Sequence, residues 1–254
     1  MSRRPRLVAG NWKMHRTAAE GSGLAGELRN LLTAGPACEV AVCPPFTALE
    51  SVARALAGSA IRLGGQNLHA EPQGAFTGEV SGAMLRSLGC TYVIVGHSER
   101  RHGMGEDDAT VARKLRAARR EQLVPIVCVG ETLAERESER TADVLVRQIH
   151  GAYEGLTGDE AATTVVAYEP VWAIGTGKVA SPAQAVEAHR IVRATLDRVC
   201  GNGTGARIRV LYGGSVNAAN APATFAEDEV DGALVGGASL EAAAFFRIAA
   251  AASV

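Results

Sequence analysis

The chain is expected to fold as a single α/β domain, a (β/α)8 barrel spanning residues 1–254, and three observations lead there. Eight short β-rich runs begin at intervals of about 30 residues, the size of one strand with its crossover helix. The segments between them are rich in Ala, Leu, Glu and Arg at helical spacing, an alternation that implies parallel pairing. No low-complexity linker divides the 254 residues, a length that single barrels reach.

The runs are Leu7–Ala9, Glu39–Cys43, Ile61–Leu63, Tyr92–Val95, Val124–Val129, Thr164–Tyr168, Ile208–Tyr212 and Ala233–Val235. No G-x-G-x-x-G follows the first run, so an open dinucleotide-binding sheet is the weaker alternative. Ser181-Pro182-Ala183-Gln184 has the form of a capping box with proline at the first helical position. Val186, His189, Val192, Leu196 and Val199 then supply one apolar face. Gly201 to Gly205 reads as a helix-to-strand loop. The basic run Arg113, Lys114, Arg116, Arg119 and Arg120, interleaved with Val111, Leu115 and Ala118, reads as a solvated helix face.

Composition excludes several classes of function. A net charge of −1 provides no field to hold nucleic acid or an acidic membrane. Five cysteines, an odd number without C-x-x-C spacing, argue against a disulfide framework and a structural zinc site. The basic start Ser2 to Arg6 is followed by too short an apolar run for a signal peptide, and Arg247 interrupts the Ala-rich end. A cytoplasmic protein, reduced at its cysteines, is expected.

In a (β/α)8 barrel the residues after each strand converge on one rim, and here those positions are polar. They are Asn11-Trp12-Lys13, Gln66-Asn67, His97-Ser98-Glu99, Gly130-Glu131, Glu169, Gly213-Gly214-Ser215 and Gly236-Gly237. The last two groups can cradle a phosphate, because glycines leave backbone N–H groups open to anion oxygens. The six histidines show no metal-binding spacing, so no metal is expected. Asn11, Lys13, His97 and Glu169 then face the other end of a small phosphorylated substrate. A base, an imidazole and a fixed positive charge suit proton transfer beside a carbonyl, with no cofactor.

The segments AGNWKM (Ala9 to Met14), VGHSERR (Val95 to Arg101), CVGET (Cys128 to Thr132), AYEPVWAIGTGK (Ala167 to Lys178), LYGGSV (Leu211 to Val216) and DGALVGGASL (Asp231 to Leu240) closely resemble the triosephosphate isomerases. The resemblance spans nearly the whole chain and implies the TIM barrel named after that family. It implies Glu169 as the base, His97 as a neutral electrophile with a depressed pKa, and Lys13, Asn11 and Glu99 as the remaining catalytic group. The phosphate would sit on N–H groups of Gly175, Ser215, Gly236 and Gly237. A lid is implied behind Glu169, with hinges at Pro170-Val171-Trp172 and Lys178-Val179-Ala180 and a tip holding Gly175 and Gly177. The long connection Gln66 to Ser81, with Thr77 and Glu79, would enter a second subunit, implying a homodimer. His15, Met104 and Val179 depart from the family's more frequent residues. Two rivals remain: an aldolase with a Schiff base on Lys13, and a catalytically silent barrel.

Overall fold

The computed structural model describes residues 4–33 and 38–253, so most of the basic start Ser2 to Arg6 is covered but Ser2 and Arg3 lie outside the described residues. Eight parallel strands close in sequence order. They are β1 (Leu7–Asn11), β2 (Glu39–Cys43), β3 (Arg62–Gly65), β4 (Cys90–Val95), β5 (Val124–Val129), β6 (Val165–Tyr168), β7 (Arg209–Tyr212) and β8 (Gly232–Val235). β1 pairs with both β2 and β8, which shuts the barrel, and helices follow every strand. The third run is displaced from its expected position. It begins at Arg62 and runs on through Gly64 and Gly65, with a register shift against β4.

Strand alternation sorts the apolar residues into two cores. Leu7, Ala9, Ala41, Cys43, Tyr92, Ile94, Ile126, Cys128, Val165, Ala167, Leu211 and Leu234 pack inside the barrel. Val8, Val40, Val42, Val93, Val95, Val127, Val166 and Val210 point outward into the layer shared with the helices. At the end where the strands begin, the interior is closed by a polar trio. Tyr92 Oη donates to Glu39 Oε2 at 2.6 Å and Arg209 Nη1 donates to the same oxygen at 2.7 Å.

The helix Pro182–Cys200 begins as its sequence indicates: Ser181 and Gln184 form a reciprocal capping box, with proline in the first turn. Its buried face includes Val186, His189, Val192 and Leu196. Two expectations need correction. The segment after it holds left-handed Gly201 and Gly203 but then makes a helical turn, Thr204–Arg207, so it is not loop throughout. The basic helix Asp108–Arg120 is not wholly a solvated face either. Lys114 is buried, its ammonium 2.5 Å from Glu106 Oε1 and 2.7 Å from Asn67 Oδ1, because burying a charge requires such partners. Of the five thiols, all free, Cys38, Cys43, Cys90 and Cys128 are buried, and burial pushes the Cys90 thiol up to about 12.

Barrel closure places one strict demand on a residue. Gly232 has φ +129°, and a Cβ there would lie 1.9 Å from the Leu7 carbonyl oxygen. Gly232→Ala is expected to cost about 3 kcal/mol or more, read as a lower urea midpoint; an unchanged midpoint would show that the β1–β8 seam tolerates a side chain.

His189 generates a second expectation. Burial, opposed by a carbonyl contact of 2.9 Å from Nδ1 to Glu229, lowers its pKa to about 4, and Nε2 has no partner. The unfolded chain therefore takes up this proton first as pH falls below the ordinary histidine value of about 6.5. Stability from this group is complete above that pH and is lost as pH falls toward about 4. The loss amounts to on the order of 3 kcal/mol when complete. Urea midpoints over that range should fall more steeply for the wild type than for His189→Gln.

Candidate active site

Strand parity alone carries two polar side chains and two glycines to one mouth. Asn11 continues the inward series Leu7, Ala9; Glu169 continues Val165, Ala167; Gly213 continues Leu211; and Gly236 continues Leu234. Each stands one step beyond the apolar interior, at the mouth opposite the polar trio. A cavity of about 210 Å³ lies there, lined by Asn11, Lys13, His97, Glu169, Ile174, Gly175, Gly213, Gly214, Ser215, Val216, Leu234, Gly236, Gly237 and Ala238.

Glu169 is buried and fully engaged. Its Oε1 lies 2.9 Å from His97 Nε2, and its Oε2 accepts from the Ser98 N–H at 2.9 Å. Burial pushes the carboxyl pKa up, but the His97 imidazole and the Ser98 donors outweigh it and leave it below the usual value. Gly96, with φ +68°, turns the chain out of β4 so that His97 caps the helix Ser98–Gly103. His97 Nδ1 accepts from the Glu99 N–H at 3.2 Å, which fixes the proton of the neutral ring on Nε2, facing Glu169.

The expected depression of the His97 pKa is not found. Burial lowers it, yet the Glu169 carboxylate, by charge and by hydrogen bond, and the charge of Glu99 together raise it further than burial lowers it. The sequence argument weighed the helix terminus and missed the carboxylate parked against the ring.

Lys13 sits in a left-handed conformation, φ +51°, that few non-glycine residues adopt. Its N–H donates to Asn11 Oδ1 at 3.0 Å, and its carbonyl accepts from Gln66 Nε2 at 2.8 Å. The ammonium is 2.6 Å from Glu99 Oε1. Glu99 therefore touches Lys13 while lining a neighbouring groove rather than the cavity itself. On the opposite wall Gly237 begins a short 3-10 turn, and a Cβ there would meet nothing within 4 Å. Gly213, by contrast, has no room for a side chain: its Cβ would press on Glu169 Cγ at 2.9 Å.

Behind Glu169, Pro170 leads into a 3-10 turn, Val171–Ala173. Gly175 and Gly177 follow in left-handed conformations, and Gly175 reaches the cavity while Gly177 and Lys178 do not. Trp172 Nε1 donates to Glu131 Oε1 at 2.8 Å, Tyr168 Oη donates to the same carboxylate, and the Arg136 guanidinium lies 5.0 Å from the centre of the Trp172 ring. Glu131 was placed on the rim by its position after a strand in CVGET, but sequence reasoning gave it no role. Ser98 was likewise placed there without a role, since it acts through a backbone N–H that carries no side-chain signature. Thr77 and Glu79 are exposed on the connection between β3 and the helix Gly82–Ser87, and neither lines the cavity. Among the described residues, no group of three potential metal ligands occurs and no helix is long and apolar enough to cross a membrane.

Comparison with known proteins agrees with this geometry. Residues 6–252 match the family model for triosephosphate isomerase. The triosephosphate isomerase of Moorella thermoacetica is 55% identical over 97% of this chain and 98% of its own length. That of Rhodopirellula baltica is 52% identical over 95% of this chain and 94% of its own. The crystal structure of triosephosphate isomerase from Bartonella henselae superposes with a TM-score of 0.85 at 41% identity, covering 96% of this chain and 97% of that one. With a closed eight-stranded barrel and an acid, an imidazole and an ammonium gathered at its mouth, the chain belongs to the triosephosphate isomerase family, whose activity is the interconversion of dihydroxyacetone phosphate and glyceraldehyde 3-phosphate in glycolysis.

Proposed function

We propose that Glu169 is the base of this isomerisation. It removes a proton from the carbon beside the carbonyl of dihydroxyacetone phosphate and returns it to the neighbouring carbon. The observation that supports this reading is the convergence of Glu169, His97, Lys13 and Asn11 on one cavity whose far wall is glycine. His97 donates its Nε2 proton toward the substrate oxygen. The Lys13 ammonium stabilises the enediolate charge and the phosphate, and the Asn11 amide hydrogen-bonds the substrate oxygens. Glu99, in contact with the Lys13 ammonium, sets its position. N–H groups of Gly175, Ser215, Gly236 and Gly237 hold the phosphate. Substrate entry takes Glu169 off the ring, which removes the contact that raises the His97 pKa and leaves a neutral imidazole for the reaction.

The segment Pro170 to Lys178 acts as a lid in this reading, with Trp172 in the first hinge and Gly177 beside the second. A closed lid keeps water from an enediolate that would otherwise eliminate phosphate. Two copies of the chain form the working enzyme. Of the eight exposed large hydrophobic residues among those described, Met14, Phe46, Phe76, Met84 and Met104 all follow β1 to β4, so the apolar surface is on one side. A groove lined by Met14, Phe46 and Met104 together with Asn11 and Lys13 opens there, and the partner's Gly74 to Glu79 connection fits it, bringing Thr77 toward Asn11 and Lys13. Met104 thus acquires a role at the interface, and exposed His15 lies beside it; Val179 remains on the outer side of the lid. Free, mostly buried thiols favour a cytoplasmic setting.

Glu169→Gln should lower kcat by roughly 100- to 10,000-fold with little change in KM, measured by coupling dihydroxyacetone phosphate formation to NADH oxidation. Full turnover in that variant would remove Glu169 as the base. Thr77→Arg should shift sedimentation from dimer to monomer and reduce kcat by about 100-fold through misplacement of Lys13. A monomeric variant with unimpaired turnover would show that the site is complete in one chain.

A further inference from the structure

The strand end that holds Glu169 in place has lost its own neighbour. Across the β5–β6 seam, the Glu169 N–H donates to the Val129 carbonyl at 2.7 Å and the Val171 N–H donates to the Glu131 carbonyl at 3.0 Å. Backbone groups of successive strand residues face opposite neighbours, so Cys128 and Gly130 direct theirs toward β4. But β4 ends at Val95 and turns away at Gly96 to form the cap at His97. The groups of Gly130 are inside the protein, where an unpaired backbone donor or acceptor is costly.

Side chains replace the missing strand. Arg101 Nη2 donates to the Cys128 carbonyl at 3.3 Å. Gln148, 4% exposed on the helix Thr141–Tyr153, serves Gly130 twice: its Oε1 accepts from the Gly130 N–H at 2.7 Å, and its Nε2 donates to the Gly130 carbonyl at 3.2 Å. One donor and one acceptor at strand spacing are what an adjacent strand would provide. Gly130 is also in direct backbone contact with the base, since a Cβ on it would lie 1.7 Å from the Glu169 carbonyl oxygen.

We propose that Gln148 is a positioning residue for Glu169 and for the first lid hinge, acting through Gly130 as a one-residue substitute for β4. The proposal rests on Glu169 being the base. Without the amide, the Gly130 peptide rotates toward another partner. It carries with it the Val129 and Glu131 carbonyls that hold residues 169 and 171, so Glu169 is displaced at the moment it must reach carbon. Lid closure loses its fixed anchor at Val171 by the same movement.

The test compares Gln148→Met, Gln148→Glu and Tyr153→Phe in the full-length protein. Tyr153 is the control: it lies on the same helix, and its buried hydroxyl is 2.8 Å from Thr164 Oγ1, at the far end of β6 from Glu169. Gln148→Met is expected to reduce kcat by roughly 10- to 100-fold with KM nearly unchanged, and to raise phosphate release per turnover. Tyr153→Phe is expected to lose stability and keep kcat. In Gln148→Glu the carboxylate still accepts from the Gly130 N–H but opposes the Gly130 carbonyl. Its kcat should be low at neutral pH and recover on acidification, when the carboxyl again donates. A Gln148→Met enzyme with wild-type kcat and phosphate release would overturn the proposal. If that variant does not fold, Gln148→Glu decides, because a pH profile parallel to the wild type overturns it equally. Unimpaired turnover in Glu169→Gln would be a separate failure, that of the base assignment.

Discussion

Side-chain alternation in a closed parallel barrel is the constraint on which the rest of this molecule depends. Once β1 pairs with β8, every second residue of eight strands must face one enclosed axis, and the last inward position of each strand must face its mouth. Apolar residues fill the interior below. Asn11, Glu169, Gly213 and Gly236 occupy the next step up, and so meet without any long-range adjustment of the chain. Two further residues reach the mouth through special backbone: Lys13, past the end of β1, in a left-handed conformation, and His97, off this parity, by the turn at Gly96.

Two buried carboxylates, Glu169 and Glu131, stand on opposite sides of the barrel wall and are held by different partners. Glu169 is wrapped by partners that can be exchanged, an imidazole and a backbone N–H. Glu131 is wrapped by Tyr168, Trp172 and Arg136, which ties the segment behind Glu169 to the helix that follows β5. A buried carboxylate without donors would be prohibitively costly, so each of these sets is a condition for the other residues to stay where they are. The start of the segment behind Glu169 is accordingly tied down by hydrogen bonds from Val171 and Trp172 to Glu131.

Much of this was legible in the sequence, and what was not has identifiable causes. Strand count, order and the polar strand ends follow from periodicity. β3 was misplaced because Gly64 and Gly65 have no strand preference. They are strand all the same because they pair with Tyr92 and Val93 of β4, and glycine is needed at 64 because a Cβ there would lie 2.7 Å from Cys43 Sγ, contacts made by folding and invisible along the chain. Lys114 looked like its exposed neighbours on a basic helix, since nothing local announces Asn67 and Glu106 as its partners. Gln148 stands among Val144, Leu145 and Ile149 with no motif at all, and its use is defined by an absence, the strand that β4 does not supply. The His97 pKa went in the unexpected direction because it depends on where the Glu169 side chain rests, a rotamer choice that spacing cannot express.

The Glu39–Tyr92–Arg209 trio stoppers the barrel floor, with apolar side chains stacked above it. The cavity at the other end is therefore a blind well. Whatever enters it leaves by the same mouth, which Ile174 and Gly175 border. If Glu169 is the base, loading and drying of the well are one process: whatever closes over the mouth sets the residence time of the sugar and the residual hydration around Glu169 by one and the same movement.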